Sequence, residues 1–384
     1  PGGNAVPILG GGRLSGKVRG LGIGFLQVFT GGLDDDVETG VRENSFSVAR
    51  VTRELPNRSR AGVMFVQKRA TRDGGDFNRT YAVDGRLGIG EALSVDAWFG
   101  RTETPGLTGS DTGMNLNVLY EIRDFSTSVQ YRRIGEDFNP EVGFVNRVAY
   151  HYFDANIAKA IRMPSVSWIR DFSPHVNARY HFDLDGFLET GYFHIDPEFT
   201  TEGGGLFGPE LNFHTEGLKE PFEIAPGVII PPGTYRDFVP SWEMRTDPSA
   251  RFSARGVARV GQFFSGRRYG GDATITYRQG ETLTADLRVD HTIVRLDEGD
   301  FETTLLGLKV GYFFTPRIFL QTFLQYSDQA DVWSVNARFG LLDTAGTGLY
   351  VVYNEAQEAH GLTSLTGPKT RSFIVKYSRQ LRVL

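Results

Sequence analysis

Charged side chains recur on the polar side of runs that alternate between apolar and polar residues: Asp96, Glu121, Arg132, Arg179, Asp183, Arg255, Arg259, Asp272, Arg278, Asp286, Arg288, Asp290, Lys309, Arg338 and Lys376. Opposed rows of arginine and carboxylate along an aqueous or plugged lumen set a transverse field that selects small polar solutes. The same residues equally serve as ion-pair ladders that hold neighbouring strands in register. Seven of the 41 basic residues are lysine and the rest arginine. The planar arginine fork pairs carboxylates bidentately, which suits a tightly paired lumen wall and equally the phosphates of lipopolysaccharide at an outer rim.

Other chemistry finds less support. The chain holds neither a Gly-x-Ser-x-Gly elbow nor a His-Glu-x-x-His helix, and its serines and carboxylates nominate no triad. Cys is absent, which removes thiolate nucleophiles, thiolate metal ligands and disulfides. Neither enzymatic activity nor a cofactor is expected. Asp34, Asp35, Asp36 and Glu38 offer the oxygen ligands that calcium prefers, but not with the spacing of an EF-hand, so a solvated loop is expected there. His151, His175, His181 and His194 lie on or near the alternating runs, where zinc would need three or four ligands to converge. No spacing brings that about, so scattered rim or lumen histidines and no metal site are expected.

The elements that position these residues are strands. Period-two alternation recurs from end to end, and no window sustains the i, i+3, i+4, i+7 pattern of a helix. From Gly113 to Ile122, Met114, Leu116, Val118, Tyr120 and Ile122 oppose Asn115, Asn117 and Glu121. One such face suits lipid and the other water. Strands are expected near 11–19, 21–30, 43–53, 59–70, 76–88, 91–102, 112–122, 124–134, 143–160, 165–184, 186–197, 205–215, 234–246, 250–263, 269–279, 281–295, 301–315, 317–327, 331–342, 347–355 and 370–381.

Short links such as Arg19-Gly20, Arg123-Asp124, Gln279-Gly280 and Ala345-Gly346 alternate with long ones, among them 31–42, 102–112, 134–142, 216–234 and 355–370. Outer-membrane barrels have short periplasmic turns and longer outer loops, so this parity places the C-terminus on the periplasmic side. Asp185-Gly186 and 197–204 break it. The expected fold is therefore all-β: a single large closed antiparallel transmembrane β-barrel of about 20–22 strands, an even ring requiring one more strand before Pro1 or one miscount among those above. With no basic or apolar leader at Pro1, a signal peptide and any N-terminal module are expected to lie outside this sequence.

Composition agrees with that class. The 384 residues include 47 glycines and 12% aromatics, with a net charge of −5, too mild a balance to suggest nucleic acid. Mean hydropathy is −0.26, and no apolar run reaches the length of a membrane helix. Barrels read this way because every second residue faces the lumen. Tyr120, Tyr180, Tyr312, Tyr326 and Tyr377 sit near expected strand ends, as interfacial girdles require. Pro221, Pro226, Pro231 and Pro232 stiffen the loop 216–234, which then folds over or into the lumen as a constriction, binds a partner, or stays an ordered surface loop with no ligand.

Asp137-Phe138-Asn139-Pro140-Glu141-Val142-Gly143-Phe144-Val145 resembles a signature of the outer-membrane barrel domain of unknown function that often follows a family-nine-like carbohydrate-binding module. Pro7 to Lys17 looks like the start of that family's barrel, and Glu220 to Ile224 with Ile230 to Tyr235 looks like its long central loop. Leu324 to Tyr326, Val335 to Phe339 and Leu349 to Asn354 are similar to its last hairpins. The resemblance implies a bacterial outer-membrane location. The carbohydrate-binding module itself is not in this chain, so no residue here takes a glycan-binding role. Three functions follow in order: porin-like or partner-gated passage of small polar solutes, or anchoring of a glycan-binding module; a structural barrel with a blocked lumen that binds a partner subunit or surface layer; and last a membrane-associated hydrolase. The expected partners are outer-membrane lipid, lipopolysaccharide and a protein at the loops or lumen, not nucleic acid.

Overall fold

The computed structural model describes residues 6–32, 42–72, 75–343, 347–359, 361–362 and 365–379. The acidic cluster at Asp34 to Glu38 and the Ala345-Gly346 turn lie outside the described residues. Strands follow one another in the order β1 (Ile8–Val18), β2 (Leu21–Thr30), β3 (Asn44–Leu55), β4 (Ser59–Ala70), β5 (Phe77–Ile89), β6 (Leu93–Glu103), β7 (Thr112–Ile122), β8 (Phe125–Ile134) and β9 (Tyr150–Lys159). The chain continues through β10 (Ile161–Arg162), β11 (Ile169–Asp183), β12 (Leu188–Thr201), β13 (Leu206–Leu218), β14 (Phe222–Ala225), β15 (Val228–Ile230), β16 (Gly233–Arg245) and β17 (Phe252–Phe263). Last come β18 (Gly266–Gln279), β19 (Leu283–Leu296), β20 (Gly299–Thr315), β21 (Ile318–Ser327), β22 (Val332–Leu342), β23 (Gly348–Ala359) and β24 (Leu365–Ser378). Twenty-two of them belong to one antiparallel sheet, and β14 with β15 forms a separate two-stranded one. No helix occurs among the described residues.

The chain falls into two compact units, Pro1–Lys159 with Val176–Phe193, and Ala160–His175 with His194–Leu384. In the first, β1 to β9 pair in sequence order. The two-residue link Arg19-Gly20, both at positive φ, joins β1 to β2 with Val18 opposite Leu21. Such a turn has the twist that adjoining strands need, and glycine accepts its second position without strain. Links here alternate as expected, short at 19–20, 56–58, 90–92 and 123–124, long at 104–111 and 135–149. In the second unit β16 to β24 pair in order after β13. There the alternation fails: 264–265 and 297–298 are two-residue links where the parity calls for longer ones.

The strands extend over the expected runs, and the expected loop 216–234 additionally contains the short strands β14 and β15; two further corrections arise. Residues 143–149 are loop, not the start of a strand, because Val145 packs into a cluster away from the ladder and Ala149 turns at positive φ. The expected long link 355–370 is mostly strand: β23 and β24 stay paired past Glu355 through register shifts at Ala356/Gln357 and Glu358/Ala359, and such shifts hide the period.

One face of each unit is apolar and open. Ile23, Val51, Val63, Val83 and Phe99 are opposed in register across β2 to β6, and each is 41–53% exposed. In the second unit Ile275, Leu287, Leu308 and Leu324 form the corresponding row. The β-branched and aromatic residues that favour extended chain thus stay about half-exposed on this face, with no second layer over them among the described residues. Buried apolar clusters among the described residues are small, and both sit on the opposite, polar face.

Candidate functional site

The polar face carries the candidate residues. In the first unit Arg86 donates to Asp96 across one register pair at 2.7 Å. Arg132 donates to Asn115 at 3.3 Å and lies 5.6 Å over the Tyr152 ring. Arg179 donates to Asn177 at 2.5 Å, stands 3.6 Å from Asp154 and caps the Tyr192 ring at 5.1 Å. Glu121 is exposed at the end of β7 by the 123–124 link. Asp183 accepts from the backbone N–H groups of Asp185 and Phe187 at 2.9 and 2.8 Å, so it caps a turn whose Gly186 has φ +90°. A stronger pair lay outside the expected set: Arg50 holds both oxygens of Asp84 at 2.8 and 2.7 Å. They reach across β4 at Gly62, where a Cβ would meet Asp84 Oδ2 at 3.0 Å and Arg50 at 3.2 Å.

The segment with the family-like signature folds onto this face. Phe138 is buried with Ile134 and Tyr150, flanked by Trp98, Val145 and Tyr152. Its ring fills a slot left by two glycines on polar-face positions. A Cβ on Gly113 would meet Ile134 and Trp98 at 3.1 Å and Phe138 at 3.2 Å, and one on Gly100 would meet Phe138 at 3.6 Å. Two fully buried polar residues hold the loop backbone. Asn78 donates to Asn139 O at 2.6 Å and accepts from Glu141 N at 3.2 Å, and Thr102 Oγ1 accepts from Asn139 N at 3.0 Å. Lys68 pairs with Glu141 at 2.6 Å. A pocket of about 490 Å³ remains between this loop and the sheet, lined in part by Arg50, Asp84, Arg132 and Phe144.

In the second unit the polar face is a run of diagonal and local pairs. Arg255 donates to Glu243 at 3.1 Å, Arg259 to Asp272 at 2.9 Å, and Arg288 to Asp290 at 3.5 Å. Asp272 stands opposite Asp290, so two carboxylates share this arginine-lined patch. Asp286 accepts from Thr276 at 2.7 Å and faces Lys309 across the ladder. Arg278 donates to the Pro248 carbonyl, which ties it to a turn. Arg338 stacks over Tyr350 at 4.6 Å and Phe319 at 5.8 Å, and Lys376 stands opposite Tyr350. The chain between β13 and β16 covers the far end of this face. The hairpin β14–β15 buries Val228 and Ile230 against Val294 and Leu296, which continue the polar-face alternation of Asp286, Arg288 and Asp290. Within 216–234 the chain thus forms a hairpin packed on the polar face of the second unit.

One constellation was not legible from spacing. His175, His194 and Asp196 meet, with one ligand-type atom of each within 4.8 Å of the others. The signal was present in outline. A hairpin folded at Asp185-Gly186 opposes residues equally far before and after it, and His175 and Asp196 are nearly so placed. His151 lies elsewhere, hydrogen-bonded to Tyr131 at 2.8 Å, and His181 packs against Tyr150 and Tyr152.

The chain matches no protein-family model and no curated protein. Among solved structures it is similar to BauA, the ferric preacinetobactin receptor from Acinetobacter baumannii, at 8% identity and a TM-score of 0.44, over 95% of this chain and 69% of that one.

Proposed function

We propose that the sheet closes into a barrel in a bacterial outer membrane, its apolar face toward lipid and its polar face around a lumen that the two inward-folded segments narrow. The observation that carries this reading is the in-register row Ile23, Val51, Val63, Val83 and Phe99, left open on strands long enough to span a bilayer. Burying such a side chain is worth about 1.5–3 kcal/mol, so half-exposed rows around the sheet would forfeit on the order of 5–10 kcal/mol in water that lipid restores. Contiguous apolar surface of that extent is unusual on a soluble monomer.

The lumen then passes small polar solutes past paired arginines and carboxylates, at a rate set by the 135–149 loop and the β14–β15 hairpin. A second reading, a blocked barrel that anchors a glycan-binding module or a partner subunit, draws on the same two segments, since both bury side chains on the polar face. Conductance in planar bilayers separates them. A small wild-type conductance that rises severalfold when 222–230 is replaced by a Gly-Ser linker fits passage. Silence from both proteins fits a blocked barrel. Folded protein that stays monodisperse without detergent contradicts the membrane reading altogether.

A further inference from the structure

We propose that His175, His194 and Asp196 form a binding site for a divalent transition-metal ion of the zinc class. The donor set is the first ground. Two imidazoles and one carboxylate are the ligand types such ions take, and imidazole disfavours magnesium and calcium. Asp196 Oδ2 lies 3.7 Å from His175 Nδ1 and 4.0 Å from His194 Nε2. These separations are too long for hydrogen bonds. They are close to the spacing of ligands that share one ion, which for bonds of about 2.0–2.1 Å in a tetrahedron is roughly 3.3 Å. The gap therefore fits a cation between the groups better than a shared proton.

The second ground is how His194 is held. Its Nδ1 lies 2.7 Å from Asn212 Oδ1. The Asn212 amide is oriented by its own donors, which reach Val239 O at 3.1 Å and Ser241 Oγ at 2.9 Å. The carboxamide thus presents its oxygen to the ring, which places the proton on Nδ1 and makes Nε2, 4.0 Å from Asp196 Oδ2, the basic nitrogen. A hydrogen-bond acceptor behind one ring nitrogen, fixing the other for coordination, is the usual outer shell of a histidine ligand. Asn212 and Ser241 are themselves buried.

Charge supplies the third ground. His194 and Asp196 are buried, while His175 is about one-third exposed and opens the cluster to the polar face. Asp196 Oδ1 lies beside Gly208, whose register partner is Glu243, and Glu210 stands two residues further along the same strand. Ser241 donates to Glu210, and Arg255 pairs with Glu243. Asp196 itself faces the two imidazoles. A dication relieves the crowding of carboxylates that the fold maintains here.

The test uses cobalt(II) as a spectroscopic probe on chelator-washed, detergent-folded protein, with zinc(II) as competitor. The expected result is one cobalt(II) per chain, with visible ligand-field bands that zinc(II) removes. Asp196→Asn and His175→Ala abolish the bands, Asn212→Ala weakens binding about 10–100-fold as outer-shell changes do, and His291→Ala leaves it intact. Should a variant at the buried His194 or Asp196 fail to fold, as read by heat-modifiable migration, the more exposed His175→Ala decides. No saturable uptake by the folded wild type, or unchanged uptake in His175→Ala, overturns the site.

Discussion

The 135–149 loop and the β14–β15 hairpin both lay apolar side chains on a polar sheet face, by different means. The loop is pinned at points: one ring, Phe138, in a slot between glycines, and backbone groups caught by buried Asn78 and Thr102. The hairpin is held by area, with Val228 and Ile230 against Val294 and Leu296 and further contact from Phe263, Phe264 and Phe301. A loop pinned by hydrogen bonds is specific to one geometry, because its partners lose full solvation when left alone. A hairpin held by aliphatic contact tolerates repacking of similar volume. The first is built as a fixed feature of the sheet face, and the second as a separable piece.

Substitutions ranked by size break or sharpen that contrast. Phe138→Ala removes the wedge and should cost the loop about 3–5 kcal/mol, read as lost hydrogen-exchange protection over 137–145 while the hairpin amides keep theirs. Ile230→Ala should cost the hairpin about 2–5 kcal/mol, whereas Ile230→Leu should cost under about 1.5 kcal/mol, as aliphatic packing requires. Asn78→Ala strands the Asn139 carbonyl and Glu141 amide and should cost about 1–3 kcal/mol, with faster proteolysis near Pro140 as the readout. Gly113→Ala presses a methyl against Trp98, Ile134 and Phe138 and should cost about 1–3 kcal/mol, which Phe138→Leu in the same chain should partly relieve. Lys68→Ala breaks a part-exposed pair worth about 0.2–1 kcal/mol, an effect that salt should erase. Equal protection losses in both segments from either Phe138→Ala or Ile230→Ala would dissolve the distinction.

The strands were legible because each residue of a period-two run reports its own face: Val83 and Asp84 need only each other to be placed. What misled was sequence that leaves the ladder. Phe144 and Val145 look like the opening of a strand, yet Val145 joins the Phe138 cluster and Phe144 stays 88% exposed. Val228 and Ile230 gave no sign of their partners because those lie on β19, far along the chain. Among the candidate charges, Asp96 pairs with Arg86, a residue outside the expected set, and Arg259 pairs with Asp272, both as contacts between neighbouring strands. Asp183 and Arg278, also expected on the polar side, bond to turn backbone, since a residue at a strand end meets backbone rather than a facing strand. The histidine cluster required the β11–β12 register, which no spacing within either strand contains.

The central claim is that the open apolar face meets lipid and the other face meets water, and the absence of cysteine makes it directly testable. Single cysteines at Val63, Val83 and Phe99, and at Asp84, Arg86 and Asp96, carry spin labels in bilayer-reconstituted protein. The account predicts strict alternation, with high oxygen and low nickel-chelate accessibility at the first three and the reverse at the others. Labels at Val63, Val83 and Phe99 that are reached by the nickel chelate, or immobilised as in a protein core, would contradict it.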